Sequence, residues 1–312
     1  MPYHKPQKIR LESSSLCQLR CPSCPTTSKA TLPVIGSGFL KLGDFKKLID
    51  ENDWVRAVEL SNYGEMFLNP DLLEIIKYAY ERQVILTASN GVNLNHAEDE
   101  VLEALVRYRF WRITCSIDGA SQQTYQLYRR RGDFDKVIGN ISKINAFKEK
   151  YGSIHPVLKW QFVAFGHNEH EIESARELAR ELGMEFHLKL SWDSKVSPTK
   201  EHELIRKEAG AASREEFKDK NGVDYMQSIC HQLWDQPQIN WDGKVLGCCR
   251  NYWGEFGGNA FEDGLLQSIN TERMAYAREM LRGEKEARDD IPCSTCSIYL
   301  GMRAKGRWLE RS

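Results

Sequence analysis

The sequence predicts an α/β protein in which a partial (β/α)6 barrel is followed by a small C-terminal domain made of a β-hairpin and a helix. Over the first two thirds of the chain, six short apolar segments alternate with amphipathic ones, which is typical of parallel strands joined by right-handed crossovers. In the last third this alternation stops, and an Asp-Gly turn signal and five cysteines take its place. The 312 residues suffice for one large and one small domain.

Six strands are predicted, and each of the first five is followed by a predicted helical segment. The strands are 8–12, 55–60, 84–88, 111–116, 157–163 and 185–190. The helices are 44–52, 71–82, 98–107, 122–128 with 133–150, and 169–182. The start of the second helix is well marked, because Asn69 can cap it and Pro70 suits a first turn. In a barrel of this kind the chemistry is expected at the carboxyl ends of the strands.

The predicted domain boundaries follow from this pattern. Residues 1–193 form the barrel, and 194–226 are a polar, charge-rich linker with one solvated helix. Residues 227–312 form the C-terminal domain, in which a hairpin at 237–248 turns at Asp242-Gly243 and a helix covers 271–282.

Charge and composition narrow the class of protein. Lys and Arg (43) balance Asp and Glu (44), so a broad nucleic-acid footprint receives no support. The N-terminal residues lack the apolar core of a secretory signal, and no apolar stretch is long enough to span a membrane. We therefore expect a cytoplasmic protein, in which nine cysteines indicate metal ligands or reactive thiols before disulfides.

The first cysteine group is Cys17, Cys21 and Cys24, spaced C-x3-C-x2-C. Three thiolates on one loop hold three irons of a [4Fe–4S] cluster and leave the fourth iron open for a small molecule. A structural zinc site prefers four ligands, and only three cysteines are grouped here. The alternatives to an iron–sulfur cluster are a zinc site and a chance grouping of three cysteines.

This motif resembles that of the radical S-adenosylmethionine (SAM) superfamily, with Ser23 where an aromatic residue is usual. The resemblance implies that SAM chelates the open iron and that its reductive cleavage releases a 5′-deoxyadenosyl radical. Residues 61–66, 89–91 and 116–120 resemble further motifs of that family. Together with the ends of strands 5 and 6 they assign seven residues to SAM binding: Gly64, Glu65, Asn90, Ser116, Asp118, Gln161 and Ser191.

The expected roles differ among these seven residues. Gly64 would let the backbone approach SAM, and Glu65 would accept from its ammonium group. For three residues a structural role, as polar groups that only complete the hydrogen bonding of a strand end, is as well supported as SAM binding: Asn90, Gln161 and Ser191.

The second cysteine group lies in the last third of the chain. Cys230, Cys248, Cys293 and Cys296 would complete an auxiliary [4Fe–4S] cluster, with structural zinc as the alternative. The arrangement resembles the twitch domain, a shortened form of the SPASM domain. Neighbouring residues of a hairpin point to opposite faces, so only one of Cys248 and Cys249 is expected to face the cluster. The spacing from Cys230 to Cys248 resembles that of radical SAM dehydrogenases of 2-deoxy-scyllo-inosamine. Cys248 is therefore assigned as the ligand and Cys249 as free.

A free thiol beside the radical implies a specific reaction. Cys249 can return a hydrogen atom to the opposite face of a substrate carbon, with Cys115 as a second choice. The chain thereby resembles the aminoglycoside epimerases, neomycin C epimerases in particular. A carbohydrate substrate is expected, and a polycationic one would be met by four carboxylates: Asp118, Asp193, Asp242 and Glu255.

Three other functions remain open. An auxiliary cluster that accepts an electron would make the protein an alcohol dehydrogenase of an aminocyclitol or sugar. Modification of a ribosomal peptide is a second alternative, and a non-catalytic iron–sulfur or zinc module is a third. Each radical SAM function also implies a reductant such as flavodoxin or ferredoxin. The reacting carbon and the oligomeric state stay open.

Overall fold

The computed structural model describes residues 3–193 and 195–310. Eight strands form one sheet in the order β6-β5-β4-β3-β2-β1-β7-β8. Their bounds are β1 Lys8–Leu11, β2 Ala57–Glu59, β3 Ile85–Val92, β4 Arg112–Ser116, β5 Val157–Ala164, β6 Glu185–Leu190, β7 Gln238–Ile239 and β8 Val245–Gly247. The first six strands are parallel and follow chain order, which confirms the predicted α/β fold.

Thirteen α-helices within the described ranges surround this sheet. They are α1 Leu32–Ile35, α2 Leu42–Glu51, α3 Leu72–Glu81, α4 Asp99–Arg107, α5 Gln122–Tyr128, α6 Phe134–Tyr151, α7 Ile172–Glu181, α8 His202–Ala209, α9 Arg214–Asn221, α10 Gln232–Asp235, α11 Leu265–Ser268, α12 Glu272–Leu281 and α13 Ser297–Lys305. Short 3-10 turns cover Met66–Leu68, Glu169–Glu171, Gln227–His231 and Pro292–Thr295. None of the described helices is long and apolar enough to cross a membrane.

The third strand runs further than the sequence predicts. β3 continues to Val92, with an irregular register against β4 between Ala88 and Val92. Asn90 and Gly91 therefore belong to the irregular end of a strand instead of the loop after it. This irregularity turns polar groups of β3 toward the carboxyl edge of the sheet.

The C-terminal hairpin continues the barrel sheet. β7 pairs in parallel with β1, with Arg10 opposite Gln238 and Leu11 opposite Ile239. A buried hydrogen bond of 3.0 Å from Arg10 Nε to Gln238 Oε1 reinforces the pairing. Since these residues are far apart in sequence, this contact places the second cysteine group beside the first strand.

The segment predicted as a linker packs against the barrel. It holds two helices, α8 and α9, where the sequence predicts one, and Ile205 and Ala211 are buried in the main core. The buried Glu169 carboxylate accepts from the backbone N–H groups of Lys200 and Glu201. Ser194, the first residue of the predicted linker, lies outside the described residues. The division at 193 and 226 stays a prediction.

Arg278 of α12 holds the C-terminal elements together. Its guanidinium is 3% exposed and donates to the carbonyl of Leu233 at 3.0 and 2.7 Å and to that of Ile269 at 2.9 Å. Burial lowers the pKa of Arg278 to about 10. These bonds satisfy carbonyls at the ends of α10 and α11 that the helices leave unpaired.

We expect Arg278→Met to lower the free energy of unfolding by about 2–3 kcal/mol, because two buried carbonyls lose their donor. Arg303→Met, which removes an exposed arginine paired with Glu286, is the matched control and should change stability by less than about 1 kcal/mol. Thermal unfolding of both variants measures the difference. Equal stability of the two variants would contradict this role.

Candidate functional site

A cavity of about 500 Å³, the main cavity, opens at the carboxyl ends of the parallel strands. Its wall combines the loops after β1 and β2, residues of β3, β4, β5 and β6, and the turn after β8. Nine residues predicted to act at the site line it: Cys17, Cys21, Cys24, Gly64, Glu65, Asn90, Ser116, Gln161 and Cys249. The tertiary structure thus brings together residues from both ends of the chain.

The three thiols of the first cysteine loop (residues 17–24) share this wall. Burial raises the pKa of Cys17 to about 12, and the nearby Glu65, Cys21 and Cys24 add to the effect. Burial also raises the pKa of Cys21, so negative charge on Cys17 and Cys21 is unfavourable unless a cation binds them, as the iron of a cluster would. Each iron of a [4Fe–4S] cluster takes one thiolate, so three thiols on one side of a cavity fit a cluster with an open iron.

Among the described residues, no three His, Cys, Asp or Glu side chains converge on one point as they would around a single metal ion.

Asp118 lies behind the wall of the main cavity. Its fully buried carboxylate accepts from Arg129 Nε at 2.7 Å and from the backbone N–H of Val163 at 2.8 Å. Arg129 itself lines the cavity, with Nη1 at 3.9 Å from Cys21 Sγ. Burial alone would lower the pKa of Arg129, but the charge of Asp118 outweighs it and raises that pKa. Asp118 therefore holds a positive charge beside Cys21, whereas the sequence assigns it to SAM binding.

Glu12 is a functional position that sequence reasoning missed. Its buried carboxylate accepts from the backbone N–H groups of Tyr63 at 3.1 Å and Gly64 at 3.2 Å. Burial raises its pKa to about 7, although these two hydrogen bonds and Arg10 oppose the effect. The carboxylate fixes the loop after β2 at the mouth of the cavity. Its signal in the sequence is a lone acidic residue at the end of the first predicted strand.

Gly64 and Glu65 are held by protein contacts as well as facing the cavity. A Cβ on Gly64 would lie 1.9 Å from the carbonyl oxygen of Ser14, so the close approach that requires glycine is to the first loop. The Glu65 carboxylate accepts from the backbone N–H of Asn93 at 2.7 Å and of Phe67 at 3.3 Å. Two of its acceptor positions remain for a ligand.

A chain of polar side chains crosses the floor of the main cavity. Gln161 Nε2 donates to Ser116 Oγ at 3.4 Å, and Lys189 Nζ donates to Gln161 Oε1 at 3.4 Å. Gly91 has φ +119°, and a Cβ there would lie 2.2 Å from Ser116 Oγ. Asn90 Nδ2 donates to Asn62 Oδ1 at 2.8 Å. These contacts hold the predicted residues of three strands, β3, β4 and β5, in the wall of one cavity.

Other predicted residues lie away from the cavity. Ser191 exchanges hydrogen bonds with the backbone of Asp193, and its neighbours Lys189 and Trp192 line the cavity instead. Cys115 is fully buried in the core. Of the four carboxylates expected to meet a cationic sugar, all within the described residues, none lines the cavity: Asp118, Asp193, Asp242 and Glu255.

Five buried polar atoms on the wall make no hydrogen bond of ordinary length and angle among the described residues. They are Ser23 Oγ, Asn62 Nδ2, Tyr63 OH, Tyr128 OH and Arg250 Nε. Folded proteins satisfy most buried polar groups, so a concentration of unpaired atoms around one cavity fits a polar ligand.

The second cysteine group surrounds a smaller, separate cavity. Cys230, Cys248, Cys293 and Cys296 all line it. Burial raises the pKa of Cys248 to about 12, and the neighbouring thiols Cys249 and Cys296 add to the rise. Four thiols around one enclosed space fit a fully ligated cluster.

Cys248 and Cys249 face different cavities. Both lie past the end of β8, because Gly247 with φ +78° turns the chain out of the strand. The alternation of a strand therefore does not separate them; the turn does. Cys248 lines the second cavity and Cys249 the main cavity. The backbone N–H of Cys249 donates to Gln232 Oε1 at 2.8 Å, which holds the turn in place.

Comparisons with known proteins match both parts of the chain. A family model described as the Radical SAM superfamily matches residues 11–179, and an iron–sulfur cluster-binding model called SPASM matches 230–297. An AdoMet-dependent heme synthase of Methanosarcina barkeri is 28% identical over 181 residues, which cover 57% of this chain and 48% of that protein. The chain thus spans about half the length of this curated relative.

Solved structures share the fold over nearly the whole chain. SuiB of Streptococcus suis, bound to S-adenosylmethionine, superposes with a TM-score of 0.66 at 14% identity, covering 94% of this chain and 71% of SuiB. The protein anSMEcpe with bound AdoMet gives a TM-score of 0.63 at 14% identity, covering 93% and 86%. At these identities the likeness concerns the fold.

We expect the stability of the protein to fall as the pH rises from about 4.5 to about 7, because burial raises the pKa of both Glu12 and Glu65 to about 7, and each keeps a proton that the unfolded chain has lost. Above pH 7 the penalty should be constant. Glu12→Gln keeps an acceptor without the charge and should flatten this window by on the order of 1–3 kcal/mol. Thermal unfolding across pH measures it, with exposed Glu181→Gln as the control. An unchanged profile in Glu12→Gln would be inconsistent with a buried, protonated Glu12.

We expect Arg129→Met to cost about 3–5 kcal/mol, because it leaves the Asp118 charge buried and unpaired. The double variant with Asp118→Asn should recover a large part of that loss. A double-mutant cycle by thermal unfolding measures the coupling. Additive losses in the double variant would argue against a coupled ion pair.

Proposed function

The chain belongs to the radical SAM superfamily, and on that premise we propose that it is an epimerase in which Cys249 returns a hydrogen atom to a small hydroxylated substrate. The resemblance to a radical SAM enzyme with an auxiliary iron–sulfur domain is confirmed. Its cofactors are SAM with a [4Fe–4S] cluster, and the SPASM domain binds additional iron–sulfur. The finer assignment to epimerisation is our proposal.

The residues fit these cofactors as follows. Cys17, Cys21 and Cys24 would hold the cluster that binds SAM, and Cys230, Cys248, Cys293 and Cys296 would hold the auxiliary cluster. When bound, SAM and the reduced cluster supply a 5′-deoxyadenosyl radical that abstracts a hydrogen atom from the substrate. The remaining question is what this chain's own residues do with the substrate radical.

One observation supports hydrogen return: of the paired cysteines, Cys249 lines the main cavity whereas Cys248 lines the second. A thiol in the cavity can donate its hydrogen atom to the substrate carbon, which forms a C–H bond and breaks the weaker S–H bond. The sulfur radical on Cys249 then takes one electron from the reductant and one proton from solvent, which restores the thiol. The substrate is thereby inverted without net oxidation.

Neighbouring side chains support this role. Gln232 holds the backbone of Cys249, and the buried hydroxyl of Tyr63, which lies beside the Asn62 side chain, makes no hydrogen bond of ordinary length and angle among the described residues. Burial raises the pKa of Tyr63, and the nearby Cys248 and Cys249 add to it, so its hydroxyl stays protonated and available to a substrate oxygen. Tyr252 packs edge-on against Tyr63 at 6.0 Å between ring centroids.

The finer expectations differ in their support. A carbohydrate fits the unpaired polar atoms of the wall, and a flavodoxin or ferredoxin would serve as the reductant. An aminoglycoside receives less support, because the carboxylates expected to bind it lie elsewhere. A dehydrogenase, in which the auxiliary cluster takes the electron, remains the second candidate because the two cavities adjoin each other, with Arg250 and Trp253 lining both.

We expect Cys249→Ala to cleave SAM to 5′-deoxyadenosine while losing epimerised product by at least about 100-fold, since no group restores the substrate hydrogen. Cys115→Ala, a buried thiol outside the cavity, is the control and should keep the wild-type product yield. Mass spectrometry after turnover of a panel of hydroxylated sugars in D2O reads both outcomes. One deuterium in an isomeric product supports epimerisation. A product two mass units lighter, or an active Cys249→Ala variant, would instead favour the dehydrogenase.

A further inference from the structure

Three cationic side chains line the main cavity on the side of Cys249. They are Lys189 at the end of β6, Arg214 at the start of α9, and Arg250 in the turn after β8. We call them the cation cluster. Within the described residues, none of the three forms a salt bridge with an acidic side chain. Glu65 is the one carboxylate that lines the cavity in the described part of the chain.

Each member of the cation cluster has few contacts and many remaining donors. Lys189 Nζ reaches only the weak 3.4 Å contact with Gln161, and Arg214 Nε donates to the carbonyl of Leu190 at 3.1 Å. Arg250 Nη2 donates to Ser297 Oγ at 3.0 Å, while its buried Nε has no partner among the described residues. An arginine has five N–H donors and a lysine three, so most of this capacity is unused.

The three charges are close enough to repel one another. Burial lowers the pKa of Lys189, and the charge of Arg214 lowers it further. Burial also lowers the pKa of Arg214, and the charge of Arg250 lowers it further. Tyr225 and Asp224 act in the opposite direction and raise that pKa, but burial outweighs them. Tyr225 packs under the Arg214 guanidinium at 4.7 Å and keeps it directed at the cavity. Partly buried, mutually repelling cations are costly unless an anion joins them.

We propose that the substrate carries an anionic group, a carboxylate or a phosphate, and that Lys189, Arg214 and Arg250 bind it beside Cys249. This inference rests on the proposed function, because it places the substrate within reach of the donor thiol. Arginine pairs with carboxylate and phosphate through two parallel hydrogen bonds, which would fix the orientation of the reacting carbon. A polycation would face three like charges, so this substrate class is the opposite of an aminoglycoside.

The carboxylate of SAM is a competing anion for these cations. Arg129, 3.9 Å from Cys21, is a cation that already lies beside the first cysteine loop, where SAM would bind. Arg250, in contrast, directly follows Cys249 in the turn after β8, and Lys189 and Arg214 line the same cavity as that thiol. The cation cluster is therefore assigned to the substrate, and SAM affinity is measured alongside anion affinity to separate the two anions.

The test uses the reconstituted holoenzyme saturated with SAM. Isothermal titration with succinate, inorganic phosphate and neomycin should show binding of at least one anion and none of neomycin. Binding should weaken as NaCl rises from about 50 to about 500 mM. Arg250→Gln and Lys189→Gln should each weaken anion binding by about tenfold, and Arg250→Lys should weaken it less. Exposed Arg180→Gln, with the same charge change, is the control. The tighter of the two anions identifies the group as a carboxylate or a phosphate.

Several results would overturn the inference. They are tighter binding of neomycin than of either anion, no anion binding by folded holoenzyme, or loss of SAM affinity in parallel with anion affinity in Arg250→Gln. The proposed function is read separately, by deuterium incorporation that depends on Cys249. Anion binding without such incorporation would leave the substrate class intact and remove the epimerase. Deuterium incorporation into an uncharged substrate would support the epimerase and remove the anionic substrate class.

Discussion

The parallel pairing of β7 with β1 is the contact on which the rest of the site depends. Two residues on each strand make it, and the buried bond from Arg10 to Gln238 strengthens it. It extends the barrel sheet by a hairpin, so the turn that carries Cys249 forms part of the wall of the main cavity. Pairing β7 with β1 brings together two strands that are far apart in the sequence, which has an entropic cost. The buried C-terminal elements around Arg278 help to offset that cost.

The carboxylates around the main cavity are buried against protein donors, whereas its cations are partly buried and keep free donors. Glu12 and Glu65 are surrounded by backbone N–H groups, and Asp118 by Arg129 and a backbone N–H, so the acidic side chains serve to position loops. The cations Lys189 and Arg250 have no such partners among the described acidic side chains and face the cavity. The net result is a cavity whose free hydrogen-bonding capacity is mostly donating. That balance, more than the overall charge of -1, determines which substrates are attracted.

Two adjacent thiols acquire different chemistry from their surroundings. Cys248 lies in an enclosed space with three other thiols, which suits a ligand. Cys249 lies in a cavity that also holds the first cysteine loop, which suits a reactive group. The positive φ of Gly247 produces this separation, because it ends β8 just before the pair and lets the two side chains diverge. A side chain at Gly247 would also lie 2.4 Å from the ring of Phe256.

The sequence alone determined the features that depend on short-range order. Spacing within residues 17–24 predicts three thiols on one loop, and the apolar periodicity predicts six strands in chain order, since both are set by neighbouring residues. Tertiary structure decided which groups are free to act. Asp118 was expected at SAM and instead holds Arg129. No role was predicted for Glu12, which fixes the loop after β2. The cation cluster gathers residues from three separate segments. The availability of a charge depends on which buried partner it meets across the fold, and that partner is not encoded in local spacing.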